Sequence, residues 1–178
     1  QDRRTVELTI DGDRVKQLTG LPLDPYFTSS KLLWVKRNEP EVWAGVEQGR
    51  TAAGTIDSYL IARMSGGRHH ITDASNASRT QLYSLESGEW SDELLALFEV
   101  PKHALPRIVA SYGNLADTLP EAFLGLNLPI TGIAGDQQAA HGFALAKPHF
   151  ELGRMHIHIH QRRTTIDKKQ CSQGLIIR

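Results

Sequence analysis

The chain has 178 residues, room for one domain of ordinary size, and is 40% hydrophobic and 22% charged, a balance that excludes wholesale disorder. Lys plus Arg total 20 and Asp plus Glu total 20, so this is no nucleic-acid polyelectrolyte, whose phosphate contacts need excess cations. The single cysteine, Cys171, excludes an intrachain disulfide and a cysteine-only zinc site, and no apolar run approaches the roughly 18 residues of a membrane span. The opening Gln1-Asp2-Arg3-Arg4 has no Met and no apolar signal core. The expectation is a cytoplasmic protein whose start lies further upstream.

In chain order, residues 5–10 alternate weakly and meet Asp11-Gly12-Asp13, a turn signal. Residues 19–25 hold two prolines and a glycine and read as loop. Ser29 or Ser30 then caps a helix through about Arg37, with Leu32, Leu33 and Val35 on its buried face, Trp34 at its edge, and Asn38 and Pro40 as its end. A second helix is predicted over 55–64, capped by Thr55, with Asp57 in its first turn and Ile56, Tyr59, Leu60 and Met64 as its apolar face. Ser65-Gly66-Gly67 stops it. Residues 79–85 read as a strand closed by a turn at Glu86-Ser87-Gly88. Ser91 caps a short helix over 92–98, and Pro101 and Pro106 bracket one more helical turn. Residues 128–134 read as a buried strand that ends at Gly135-Asp136, with a helix from Gln137 onward.

Beyond Phe150 no periodic apolar face is visible, and the texture becomes that of a tail. The alternation His156-Ile157-His158-Ile159-His160 could place three imidazoles on one strand face, a donor set that suits zinc or copper. An exposed run without a metal is the ordinary reading of such a segment, and no metal ligand is assigned. Asp136, a carboxylate between a strand and a helix, has the ordinary reading of an N-cap. Strand, Gly-Asp, helix is also the arrangement that places ligands at strand carboxyl ends in α/β folds. Tyr26, between Pro25 and Phe27, has the ordinary reading of a loop anchor. Arg79 is expected to pin a loop through its guanidinium fork.

Tyr26-Phe27-Thr28-Ser29-Ser30-Lys31-Leu32-Leu33-Trp34-Val35-Lys36-Arg37-Asn38 resembles the first signature of the FGGY carbohydrate kinases, with aromatic, small hydroxyl, Lys and Trp in register. Gly54-Thr55-Ile56-Asp57-Ser58-Tyr59-Leu60-Ile61, Thr72-Asp73-Ala74-Ser75-Asn76-Ala77-Ser78-Arg79-Thr80 and Gly132-Ile133-Ala134-Gly135-Asp136-Gln137-Gln138-Ala139-Ala140 follow in the family's order, and the opening Gln1-Asp2-Arg3-Arg4-Thr5 also matches. The resemblance covers residues 1 to about 150. It implies an α/β, ribonuclease H-like (actin-like ATPase) fold, present here as part of an N-terminal kinase domain over 1–150. Residues 151–178 follow as a divergent tail, disordered or read in a shifted frame.

The implied activity is transfer of the γ-phosphate of ATP, with Mg2+, to a terminal hydroxyl of glycerol, giving glycerol 3-phosphate. Asp136 is implied as the general base that takes the hydroxyl proton. Gln137 is implied to hydrogen-bond a substrate hydroxyl, while the Tyr26 ring covers the carbon backbone and its hydroxyl meets a substrate oxygen. One alternative is another sugar of the same family, such as a pentulose. Another is a non-catalytic binding or regulatory relative that pairs with a full-length kinase or with itself.

The family's Asp-x-Gly-Thr phosphate motif, its glycerol-gripping Arg-Glu pair and the Trp that precedes Gln1 in its pattern do not occur here. A Tyr-Gly-Thr phosphate-binding turn is due shortly after Phe150-Glu151-Leu152-Gly153, where the His-Ile-His run stands instead. Residues 121–129 replace the glycine-rich loop that binds a sugar bisphosphate inhibitor in bacterial members. The 178-residue chain by itself is therefore expected to be inactive.

Overall fold

The computed structural model describes residues 10–145 and 175–177, with side-chain environments through residue 140. The opening residues 1–9 and most of the tail, including its histidine run, lie outside them.

The Asp11-Gly12-Asp13 sequence starts a helix rather than a turn. Asp11 Oδ1 accepts the N–H groups of Asp13 and Arg14, both at 3.1 Å, and α1 runs Gly12–Thr19 until Gly20, at φ 72°, closes it. The second helix, α2, is Thr28–Asn38, with Leu32, Leu33 and Val35 buried and Trp34 half-buried as expected. Its cap differs from the expectation. Phe27 occupies the N-cap position without a side-chain bond, and Ser29 and Ser30 lie inside the helix, fully buried. Ser29 instead donates to Gln81 Oε1 at 2.8 Å. Pro40 ends α2 but also opens α3, Pro40–Glu47, since its fixed φ suits the first helical position.

Strand β1, Ala52–Gly54, leads into α4, Ile56–Met64. Its buried face is Ser58, Ile61 and Ala62, whereas Ile56 and Leu60 of the expected face are exposed. Thr55 stands at the N-cap, but its hydroxyl donates to Asp57 Oδ1 rather than capping the backbone. Strand β2, Ile71–Asp73, passes directly into a short α5, Ala74–Ala77, and a 3-10 turn, Ser78–Thr80. The expected strand over 79–85 does not form, because Gln81 takes φ 63°, a left-handed conformation that no extended run accommodates. Only a single bridge, Tyr83 to Trp90, remains of it.

Ser91 caps α6, Asp92–Leu97, by accepting the Leu94 N–H at 3.3 Å, and a 3-10 turn, Lys102–Ala104, follows between the two prolines. Strands β3, Arg107–Val109, and β4, Tyr112–Asp117, come next. β3 runs parallel to β2 with Asp73 opposite Val109. β5, Pro129–Gly132, pairs antiparallel with β4 alone among the described residues. It is largely exposed rather than buried, and burial resumes only at Ile133 and Gly135. The last helix, α7, spans Asp136–Leu145, and β6, Leu175–Ile177, pairs antiparallel with β1.

Two cores result. The larger joins α1, α2, α3 and α6 around Leu32, Leu33, Trp43, Leu94 and Phe98. On its surface the Arg14 guanidinium grips both Glu93 oxygens, at 2.5 and 2.7 Å, and holds α1 to α6. The smaller packs Ile61, Ile71, Ala116 and Ile133, from α4, β2, β4 and the chain just past β5. It lies beneath the parallel pair and the entry to α7. No described helix is long and apolar enough to cross a membrane.

Candidate active site

Asp136 is the first residue of α7 and is exposed. The helix opens with the Ala139 N–H donating to the Gly135 carbonyl at 2.8 Å, so Gly135 holds the cap position and Asp136 sits one residue further in. Its Oδ1 accepts the N–H of Gln137 at 2.9 Å. Gln137 is exposed beside it. The expected order of strand, Gly-Asp and helix is thus present, with the carboxylate accessible rather than consumed by a cap.

The chain enters this turn under restraint. The Ile133 N–H donates to the Ser111 carbonyl at 2.9 Å, and the Gly135 N–H donates to Ser75 Oγ at 2.8 Å. Ser75 follows β2 by two residues and Ser111 follows β3 by two, so the Asp136 turn is tied to the carboxyl ends of the parallel pair. That is where an α/β sheet leaves room for ligands.

Between these serines lies Asp73, fully buried at the end of β2. Its carboxylate accepts Ser111 Oγ at 2.6 Å, Asn76 Nδ2 at 2.8 Å and Asn76 N–H at 3.1 Å, and it accepts Ser75 Oγ at 2.8 and 2.9 Å. Burial pushes its pKa upward, but the bonds from Ser111, Asn76 and Ser75 together outweigh burial and hold it below the ordinary carboxylate value. Sequence reasoning missed this hub. The available signal was the Asp73-Ala74-Ser75-Asn76 wording, a side-chain cap three residues ahead of an amide, but partners 38 residues away leave no local mark.

Tyr26 sits on the loop before α2 and is 50% exposed. Its N–H donates to Asp24 Oδ1 at 2.7 Å, its carbonyl accepts Lys31 Nζ at 2.9 Å, and its ring meets Phe27 edge-on at 5.3 Å. The Arg79 guanidinium lies 5.1 Å from the Phe27 ring centroid, so among the described residues Arg79 pins this loop over a ring and not through a hydrogen-bonded fork. Among the described residues no hydrogen bond joins Tyr26 to Asp136 or Gln137.

Residues 3–142 match the N-terminal domain of the FGGY family of carbohydrate kinases. Glycerol kinase from Methylobacterium nodulans is 47% identical over 146 residues, 79% of this chain and 29% of that protein. Glycerol kinase from Dechloromonas aromatica is 49% identical over the same share. The chain thus spans 29% of the length of these curated relatives. Among solved structures, Plasmodium falciparum glycerol kinase with ADP superposes with a TM-score of 0.73 at 31% identity, over 78% of this chain and 29% of that one. Gluconate kinase from Lactobacillus acidophilus superposes with a TM-score of 0.59 at 27% identity, over 70% of this chain and 25% of that one. The fold is accordingly the ribonuclease H-like α/β fold of the actin-like ATPases, of which these residues form a part. The chain belongs to the FGGY family of carbohydrate kinases.

Proposed function

We propose that this chain carries the acceptor-activating part of an ATP-dependent glycerol kinase. The observation that carries the reading is the exposed Asp136 carboxylate, fixed at the first turn of α7 beyond the carboxyl ends of β2 and β3. Asp136 takes the proton of a terminal glycerol hydroxyl as that oxygen bonds to the γ-phosphorus of ATP. The bond from that phosphorus to the bridging oxygen breaks, and ADP departs. Phosphoryl transfer asks little covalent chemistry of the protein, so one aligned carboxylate is the fitting contribution at the nucleophile.

Gln137, adjacent and exposed, hydrogen-bonds a second glycerol hydroxyl. Tyr26, with its ring braced by Phe27 and Lys31, supplies a wall for the carbon backbone. Magnesium accompanies the nucleotide in this reading. Among the described residues no group of three or more His, Cys, Asp or Glu side chains converges to hold a metal, and no residue is assigned to it. Identity of 47 and 49% to two glycerol kinases, and superposition on a solved glycerol kinase at TM-score 0.73 and 31% identity against 0.59 and 27% for a gluconate kinase, favour glycerol over a sugar acid.

The test is a chimera in which residues 3–142 replace the matching segment of the Methylobacterium nodulans enzyme. It is assayed for ATP-dependent phosphorylation of glycerol, xylulose and gluconate. Glycerol is expected to be the preferred acceptor, and Asp136→Asn is expected to lower kcat by about 10²- to 10⁴-fold. Full turnover in Asp136→Asn, or preference for another acceptor, overturns the reading. The 178-residue chain alone, without the chimera's remaining segments, is expected to form no glycerol 3-phosphate above the blank, because positioning of the γ-phosphate supplies most of the rate.

A further inference from the structure

Asp73 has no part in the mechanism proposed above, yet it is the most heavily hydrogen-bonded carboxylate among the described residues. A helix cap accounts for some of this. Asp73 stands before α5 and accepts the Asn76 N–H, as a capping aspartate does. The cap does not account for Ser111, which donates from 38 residues away, nor for Ser75, whose hydroxyl reaches Gly135 60 residues further on.

The hydroxyl chemistry gives the arrangement a direction. A serine hydroxyl has one proton and two lone pairs. Ser75 gives its proton to Asp73, so the oxygen can only accept from Gly135, and the Gly135 N–H is what it meets. Ser111 likewise gives its proton to Asp73, which fixes the residue whose carbonyl accepts the Ile133 N–H. Both anchors of the 133–135 segment therefore trace back to one buried carboxylate. That segment leads without interruption into Asp136. At Gly135 the approach is close enough that an added Cβ would stand 2.7 Å from Gln138 Oε1 and 3.6 Å from Ser75 Oγ.

We infer that Asp73 is a positioning residue for the catalytic turn: it orients Ser75 and Ser111, which hold Gly135 and Ile133 and so aim the carboxylate of Asp136. The inference rests on the proposed role of Asp136 as base, but its own test does not require turnover.

The experiment is NMR on the isotopically labelled 178-residue chain, in wild type, Ser75→Ala, Ser75→Thr and Asp73→Asn. Two signals are followed: hydrogen exchange of the Gly135 amide against that of Asn76, and the chemical shift of the Gln137 amide, which donates to Asp136 Oδ1. Ser75→Ala is expected to speed Gly135 exchange by about tenfold, the loss of one ordinary hydrogen bond, while Asn76 keeps its protection. The Gln137 amide shift is expected to move as its bond to Asp136 loosens, and Ser75→Thr is expected to restore both signals. Asp73→Asn is expected to act as Ser75→Ala does on Gly135. If Asp73→Asn does not fold, the serine pair still decides the matter. Wild-type Gly135 exchange in Ser75→Ala overturns the inference. So does equal loss of protection at Gly135 and Asn76, which would make Asp73 a stability residue only. Retained turnover in the Asp136→Asn chimera would remove the base and leave the Gly135 result standing, so the two failures are distinguishable.

Discussion

The Gln81 amide donates to the Pro22 carbonyl at 2.5 Å and accepts from the Ser29 hydroxyl at 2.8 Å, so one side chain ties the loop ahead of Tyr26 to the first turn of α2. Gln81 and Ser29 are both fully buried. Removing the amide leaves the serine hydroxyl without its acceptor in a place water does not reach. Such an orphaned group costs about 1 to 3 kcal/mol. The backbone adds a second term, because Gln81 stands at φ 63°, where a residue with a Cβ pays about 1 kcal/mol or more and glycine pays none. Gln81→Ala is therefore expected to destabilise the chain by about 2 kcal/mol in urea unfolding, and Gln81→Gly by less despite its flexibility. Equal losses would show that the left-handed backbone carries no strain. A wild-type midpoint in both would remove the amide as an anchor.

Helix α4 separates what local sequence decides from what packing decides. Its length follows from Thr55 at one end and Ser65-Gly66-Gly67 at the other, and these signals are in the sequence. Its orientation is not. Ile56 and Leu60 form the larger apolar pair, yet they are 59% and 47% exposed, while Ser58, Ile61 and Ala62 face inward. The inward side must fit Gly54, where a Cβ would collide with Ser58 Oγ, so small residues win that face. Ile61→Ala is expected to cost about 2 to 5 kcal/mol and Leu60→Ala under 1 kcal/mol, as read by thermal or urea unfolding. The reverse order would mean that α4 is rotated. The same division runs through the fold and the candidate site. Ser91 ahead of α6, the prolines around the 3-10 turn, and the Gly135-Asp136 step into α7 were legible because a few adjacent residues determine them. The strand expected over 79–85 fails on one left-handed residue, and α1 begins where a turn is expected because an aspartate cap and an Asp-Gly turn share the same letters. The Asp73 hub was illegible for a different reason: Ser111 and Gly135 come to it only after β2 and β3 have paired and β5 has turned back.

At the scale of the molecule the two cores meet titratable groups that the fold holds in opposite ways. His70 precedes β2, and its Nε2 has no hydrogen-bond partner among the described residues. Burial depresses its pKa below 6.5, opposed by the Asp57 carboxylate on α4. The folded chain therefore takes up this proton less readily than the unfolded chain does. The stability it contributes is present above about pH 6.5 and declines as pH falls from there through the folded-state pKa. Asp73 is also depressed, from 3.8, but as an acid its stabilising form is the anion. Its contribution is intact above about pH 4 and is lost only below that, as pH falls through the folded-state pKa. The two windows open at different pH, about 6.5 for His70 and about 4 for Asp73, so a pH series of urea midpoints can separate them. His70→Gln is expected to flatten the limb that begins below about pH 6.5 and to leave the fall that begins below about pH 4 in place. Ser111→Ala removes the strongest of the bonds that lower the Asp73 pKa, and is expected to do the converse. An unchanged upper limb in His70→Gln would assign that limb to other groups. An unchanged lower one in Ser111→Ala would mean that the Asp73 anion does not depend on the serine, and with it the clamp on the turn that carries Asp136.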